Sequence, residues 1–202
     1  MRSLLVKDLL NLRQLLRVWL LIAAVWIAAA IFKRDASYVG GLLVMLVVMV
    51  PFNAMAYDEA SKWESYGLTM PVTRQDMVLS KYALTLLCAL ASSAVSLLCG
   101  LLLGESFIAA LDMSLAFVGA GLCMAFVFLP VVFRYGAQKA RVIMLLFILI
   151  PVLAALLPGS EAVAASFFTG VFGRLWLLAP IVLALFAASC ACSLYIYNRK
   201  EF

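Results

Sequence analysis

The chain has 202 residues, 67% of them hydrophobic and 12% charged, with a formal net charge of +5 and a mean hydropathy of +1.15. Water-soluble domains run near half apolar and a quarter charged, so this composition excludes an ordinary soluble fold and fits a chain whose solvent is a bilayer. The absence of histidine removes the commonest general base and metal ligand.

Residues 1–17 carry Arg2, Lys7, Arg13 and Arg17, with Leu5, Leu9, Leu12 and Leu16 recurring at helical spacing and Ser3, Lys7, Asn11 and Gln14 on another side. That pattern predicts an amphipathic helix in the plane of the membrane interface; the same residues also suit a charged lead-in to a first crossing. A hydrocarbon core about 30 Å thick needs roughly 20 apolar residues per helix. Apolar stretches follow at about 18–32, 38–57, 77–103, 113–133, 142–157 and 175–197. The expected fold is all-α: one polytopic domain over 1–202, with six transmembrane helices behind an interfacial helix. Pro51, Pro130, Pro151 and Pro180 fall inside spans, where neighbouring helices can satisfy the carbonyls that proline frees. The connection at 158–174 is too short to span and too apolar for a solvated loop, which predicts short outer helices packed against protein.

Charge bias orients the set. With the N-terminus inside, all fifteen bases except Lys33, Arg34 and Arg174 lie in inner segments. Both termini are therefore expected in the cytoplasm, and the positive charge reads as a topology signal rather than a nucleic-acid surface. Cys88, Cys99, Cys123, Cys190 and Cys192 sit inside apolar stretches and read as small buried hydrophobes, with neither disulfide nor metal spacing. No ionisable residue falls near the middle of a predicted span, where ion-coupled carriers place such groups. There is no Gly-Lys dipeptide, hence no phosphate-cradling loop, and no catalytic constellation.

The informative stretch is the cytoplasmic connection 58–76. It sets Asp58, Glu59, Glu64 and Asp76 beside Trp63 and Tyr66. Ser61 with Glu64 has capping-box spacing and starts a short helix, on which Glu59, Lys62, Trp63 and Tyr66 share a face. Gly67 ends that helix, Pro71 forces extended chain before it, and Thr73 with Asp76 forms a second capping box that opens the third span. Aromatics with flanking charges suit protein docking; Trp63 and Tyr66 equally suit a belt at the headgroup level.

The segment resembles the small bacterial ABC-exporter permeases, the membrane subunits of type V ATP-binding-cassette transporters. The resemblance rests on Asp58, Glu59, Lys62, Trp63 and Tyr66, then Met70, Pro71, Val72, Thr73 and Arg74, then Val78, Ser80, Lys81 and Tyr82. Elsewhere it is one of layout alone. It implies a permease subunit of an exporter in the bacterial cell membrane. It also implies that Asp58, Glu59, Lys62, Trp63, Tyr66, Pro71 and Arg74 couple it to a separate ABC ATPase subunit, which carries the ATP and Mg. A second permease chain, paired through the first, second and fifth spans, completes the substrate path. The substrate class this suggests is an amphipathic peptide, a lipid or a hydrophobic drug. Two other readings stay open on the residues alone: a passive conduit, and a non-transporting membrane partner such as an immunity or sensor protein.

Overall fold

The computed structural model describes residues 4, 7, 8, 10, 11, 16–33, 37–63, 73–155 and 175–199. The regular structure among them is α-helical, in six elements: α1 (Leu16–Lys33), α2 (Ser37–Ala60), α3 (Arg74–Leu102), α4 (Phe107–Tyr135), α5 (Ala137–Ala155) and α6 (Leu175–Arg199). By length and composition, α2, α3, α4 and α6 can each cross a membrane, while the apolar part of α1, Val18–Phe32, is shorter. Of the expected interfacial helix, Leu4, Lys7, Asp8, Leu10 and Asn11 are described and helical. The expected outer helices at 158–174 lie outside the described residues.

Large apolar side chains fill the core between α2 and α4, whereas much of α3 is polar or small on the inside and leucine-rich on the outside. Along α3 the buried positions include Lys81, Thr85, Ala89, Ser92, Ser96 and Gly100 at spacings of three and four. Leu86, Leu87, Leu90, Leu98 and Leu102 face outward, with Leu90 71% and Leu102 85% exposed. In water such a surface would drive aggregation; in lipid the outward leucines cost nothing, and small inward residues let backbones approach. The cysteines follow the same logic and correct one expectation. None is fully buried: Cys192 is exposed and the other four are half-buried.

Successive helices run antiparallel, so α2, α4 and α6 run parallel to one another. On α2 and α4, Gly40 meets Phe117, Gly121 meets Val47, and the α2 end meets the α4 end at Glu59 and Gly136. A Cβ on Gly40 would overlap the Phe117 ring, and one on Gly121 would lie 3.3 Å from Val47 and 3.4 Å from the Val44 backbone. On α4 and α6, Phe126 packs edge-on to Phe186 at 5.3 Å and Phe133 to Tyr197 at 5.7 Å.

Two tight links set this alternation. Between α3 and α4, Gly104 takes φ +87°, its N–H donates to Leu101 O, and the Glu105 N–H donates to Gly100 O. That pair of bonds is a Schellman C-cap, after which the Ser106 hydroxyl accepts from Ala109 N–H and starts α4. Gly100 itself has Ala110 against it, 2.9 Å from where a Cβ would sit, so this glycine is used within the chain. Between α4 and α5 a single residue, Gly136 at φ +81°, turns the chain.

Pro130 shows how a broken helix bond is repaired. Proline has no N–H, so the Phe126 carbonyl one turn earlier loses its donor. The Ser189 hydroxyl of α6 donates to that carbonyl at 2.5 Å. Its proton thus committed, Ser189 can only accept from Tyr82 Oη at 2.6 Å, and Tyr82 in turn accepts from Ser193 at 2.8 Å. A chain of hydroxyls thereby stitches α3, α4 and α6 together where no water can substitute.

Candidate functional site

Among the described charged residues of the α2–α3 connection, Glu59 and Lys62 are exposed while Asp58 is buried. Asp58 belongs to a buried junction at the end of the bundle where α2, α4 and α6 finish. Asp58, in the last turn of α2, is 6% exposed; Lys81, two turns into α3, is 6% exposed; Asp8, from the N-terminal segment, is 0% exposed. Lys81 Nζ donates to Asp58 Oδ2 at 2.6 Å and to Asp8 Oδ2 at 2.7 Å. Lys7 Nζ donates to Asp58 Oδ1 at 2.6 Å and lies 3.2 Å from Asp8 Oδ1. The four groups close a ring of alternating sign, each charge flanked by two of the opposite kind. Isolated, any of these ions would cost several kcal/mol to bury; in this ring three of the four carboxylate oxygens accept hydrogen bonds, while the buried Asp8 Oδ1 accepts none and has only the ion-pair approach of Lys7.

The N-terminal segment is therefore oriented differently from a free interfacial helix. Lys7, expected on its wet face, turns toward the protein together with Asp8, while Leu10 is 60% exposed. Lys7 also lies over the Trp63 ring, 4.5 Å from its centroid, a cation–π contact. Trp63 is half-buried. A cavity of about 30 Å³ beside the ring, walled by Trp63, Phe133 and Tyr197 among others, is far too small for a substrate.

Glu59, next to Asp58, points elsewhere. Its Oε2 accepts from the Ala137 N–H, the first donor of α5. A carboxylate there satisfies a donor that no helical carbonyl can reach and complements the positive end of the helix dipole. Gly136 makes room for it, since a Cβ at that position would lie 2.8 Å from Glu59 Oε1. Arg74, at the start of α3, donates to the Tyr197 carbonyl near the end of α6 at 3.4 Å, and the Tyr197 hydroxyl donates to Met77 Sδ at 3.2 Å.

The expected second capping box is present in full. Thr73 is extended at φ −81°, ψ 154°; its hydroxyl oxygen accepts from Asp76 N–H, and its own N–H and hydroxyl both donate to Asp76. The expected single face of Glu59, Lys62 and Trp63 does not form. α2 runs on to Ala60, the Ser61 hydroxyl donates back to the Tyr57 carbonyl at 2.8 Å, and Lys62 adopts φ +51°. That left-handed residue breaks the helical phase, so Glu59 reaches α5 while Trp63 reaches Lys7. Lys62 remains exposed. Tyr66 and Pro71 lie outside the described residues.

The sequence marked Lys7 only as a base on the polar side of the lead segment and did not mark Asp8 at all, and Lys81 entered as a site residue only through the resemblance. The available signal was an acidic residue, Asp8, inside an otherwise basic lead. The junction gathers α2, α3 and the N-terminal segment directly, α5 through Glu59 and α6 through Arg74.

No curated protein and no solved structure matches the chain. A family model described as ABC-2 family transporter protein matches residues 3–198. With nearly the whole chain matched, this protein belongs to the ABC-2 transporter family, as a membrane permease subunit rather than a catalytic one.

Proposed function

We propose that the chain is the permease of an ATP-driven exporter, and that its 58–76 segment is the seat of a separate ABC ATPase. Six spans with both termini in the cytoplasm accompany this reading, supported by the inner bias of the bases. So do ATP and Mg held by the ATPase, and a second permease chain that completes the substrate path. Asp58, Glu59, Lys62, Trp63, Tyr66, Pro71 and Arg74 make up the coupling segment, with two distinct tasks. Lys62, exposed at the break after α2, and the half-buried Trp63 meet the ATPase. Asp58, Glu59 and Arg74 carry the displacement into the spans. The observation that carries this proposal is the ring of Lys7, Asp8, Asp58 and Lys81, which fixes the base of the coupling segment to the N-terminal segment and α3. An apolar groove of about 430 Å³, lined by residues of α3, α4 and α6 such as Leu86, Leu122 and Phe186, fits the amphipathic or hydrophobic substrate class.

The test is Trp63→Ala in the full chain. Truncating a central interfacial tryptophan costs about 2 kcal/mol or more, roughly 30-fold in affinity. The variant should insert and express normally, lose its ATPase in detergent co-purification and transport poorly; Ser106→Ala, at the opposite end, should do neither. Normal ATPase retention and transport by Trp63→Ala would overturn the coupling role and leave Trp63 as a headgroup-level residue.

A further inference from the structure

A second polar feature at the same end of the bundle takes no part in the junction. Because α4 and α6 run parallel, both finish here, and a crevice of about 390 Å³ lies between their last turns, lined by Phe133, Arg134, Tyr195, Ile196 and Arg199. Arg199 lies over the Tyr195 ring at 4.6 Å and Arg134 over the Tyr135 ring at 5.4 Å. Tyr135 is 49% and Tyr195 58% exposed. Among the described residues every ion pair belongs to the Lys7, Asp8, Asp58 and Lys81 ring, so neither arginine is neutralised by a carboxylate there. The two helix C-termini supply some negative potential, about half a charge each. Against two guanidinium groups that leaves the described residues of the crevice positive by about one charge.

We infer that this crevice binds the headgroup of an anionic phospholipid. Guanidinium pairs bidentately with phosphate oxygens. Tyrosines at a helix end belong at headgroup depth, and Phe133 and Ile196 offer an apolar wall to the glycerol and the first acyl carbons. Basic pockets between helix ends are the expected seat of such headgroups. The occupant is a lipid rather than a soluble anion, because one wall of the crevice is apolar and its helices carry exposed apolar residues such as Leu115, Val127, Ile181 and Leu183. The lipid would wedge α4 against α6 at the level of Tyr197, without any bearing on whether an ATPase docks nearby.

The experiment titrates the purified full chain in neutral detergent with phosphatidylglycerol or phosphatidylcholine and counts bound lipid by native mass spectrometry. The wild type should take one phosphatidylglycerol in preference to phosphatidylcholine. The double variant Arg134→Gln, Arg199→Gln should bind it about 30-fold more weakly. Arg134→Lys with Arg199→Lys, which keeps the charge but loses the bidentate fork, should lose less than the Gln pair, and Lys139→Gln, an exposed base outside the crevice, should keep all of the preference. Should the double variant fail to fold, Arg199→Gln alone reads the same effect at about fivefold. Unchanged phosphatidylglycerol binding in the Gln variants overturns the inference. So does an equal loss in Lys139→Gln, which would mean diffuse surface attraction. Displacement of the lipid by millimolar inorganic phosphate would mean a free-anion site and overturn the lipid assignment.

Discussion

Lys81→Met removes the cation that joins α3 to two acidic partners. The methionine fills nearly the same volume, so the loss is electrostatic. Asp8 and Asp58, both buried, are left sharing Lys7, whose 3.2 Å approach to Asp8 is the weakest link of the ring. Breaking a buried pair by deleting one partner costs about 3–5 kcal/mol. At roughly 3 °C per kcal/mol for a chain of this size, the melting temperature should fall by about 10–15 °C. The assay is thermal unfolding in detergent, followed by tryptophan fluorescence. The double variant Lys81→Met, Asp58→Asn removes one charge of each sign and leaves Lys7 with Asp8. Replacing a buried pair by neutral groups is often close to neutral, so this variant should regain most of the lost stability. If Lys81→Met melts within about 2 °C of wild type, less than 1 kcal/mol, the ring is solvated and contributes nothing, and the argument that it fixes the coupling segment fails with it.

Gly136→Ala should destabilise by about 1–2 kcal/mol, because φ +81° is a left-handed conformation that side chains resist and the new Cβ displaces Glu59; Glu59→Gln, which keeps an acceptor but loses the charge, should cost about 0.3–1 kcal/mol. Both are read by thermal melting, and a Gly136→Ala protein as stable as wild type would refute the tight turn. Tyr82→Phe removes two hydroxyl contacts to α6; at about 0.6 kcal/mol per intramembrane hydrogen bond it should lose about 1 kcal/mol. Thr73→Ala removes the α3 cap at a cost of about 1 kcal/mol, visible as faster amide exchange in the first turn of α3 and nowhere else.

What the sequence made legible was local. The Thr73–Asp76 box needs only residues three apart, so its spacing sufficed. The spans followed from runs of apolar residues, although α4 starts at Phe107 rather than near 113 because the Ser106 cap carries the helix across Asp112. Pro130 announced a free carbonyl, yet that Ser189 would satisfy it depended on how α4 and α6 align. The ring was hidden for the same reason. Lys7, Asp8, Asp58 and Lys81 each look like ordinary headgroup-level charges, and their pairing spans separations of up to 73 residues. The shared face expected for Glu59, Lys62 and Trp63 failed on one backbone angle at Lys62, which no spacing rule encodes.

Cut along the boundary between the N-terminal segment and the spans, the ring divides into two dipeptide-like halves. Lys7 and Asp8 leave together, and Asp58 stays with Lys81. Neither half carries net charge. Lifting the segment away therefore separates two neutral pairs rather than opposite ions, and the Coulomb work of parting falls off far faster with distance than it would for a single bridge. A joint of this make holds its register through alternating signs, since a slip that exchanged neighbours would set like charges against each other, and parting it would leave neither half with a net charge.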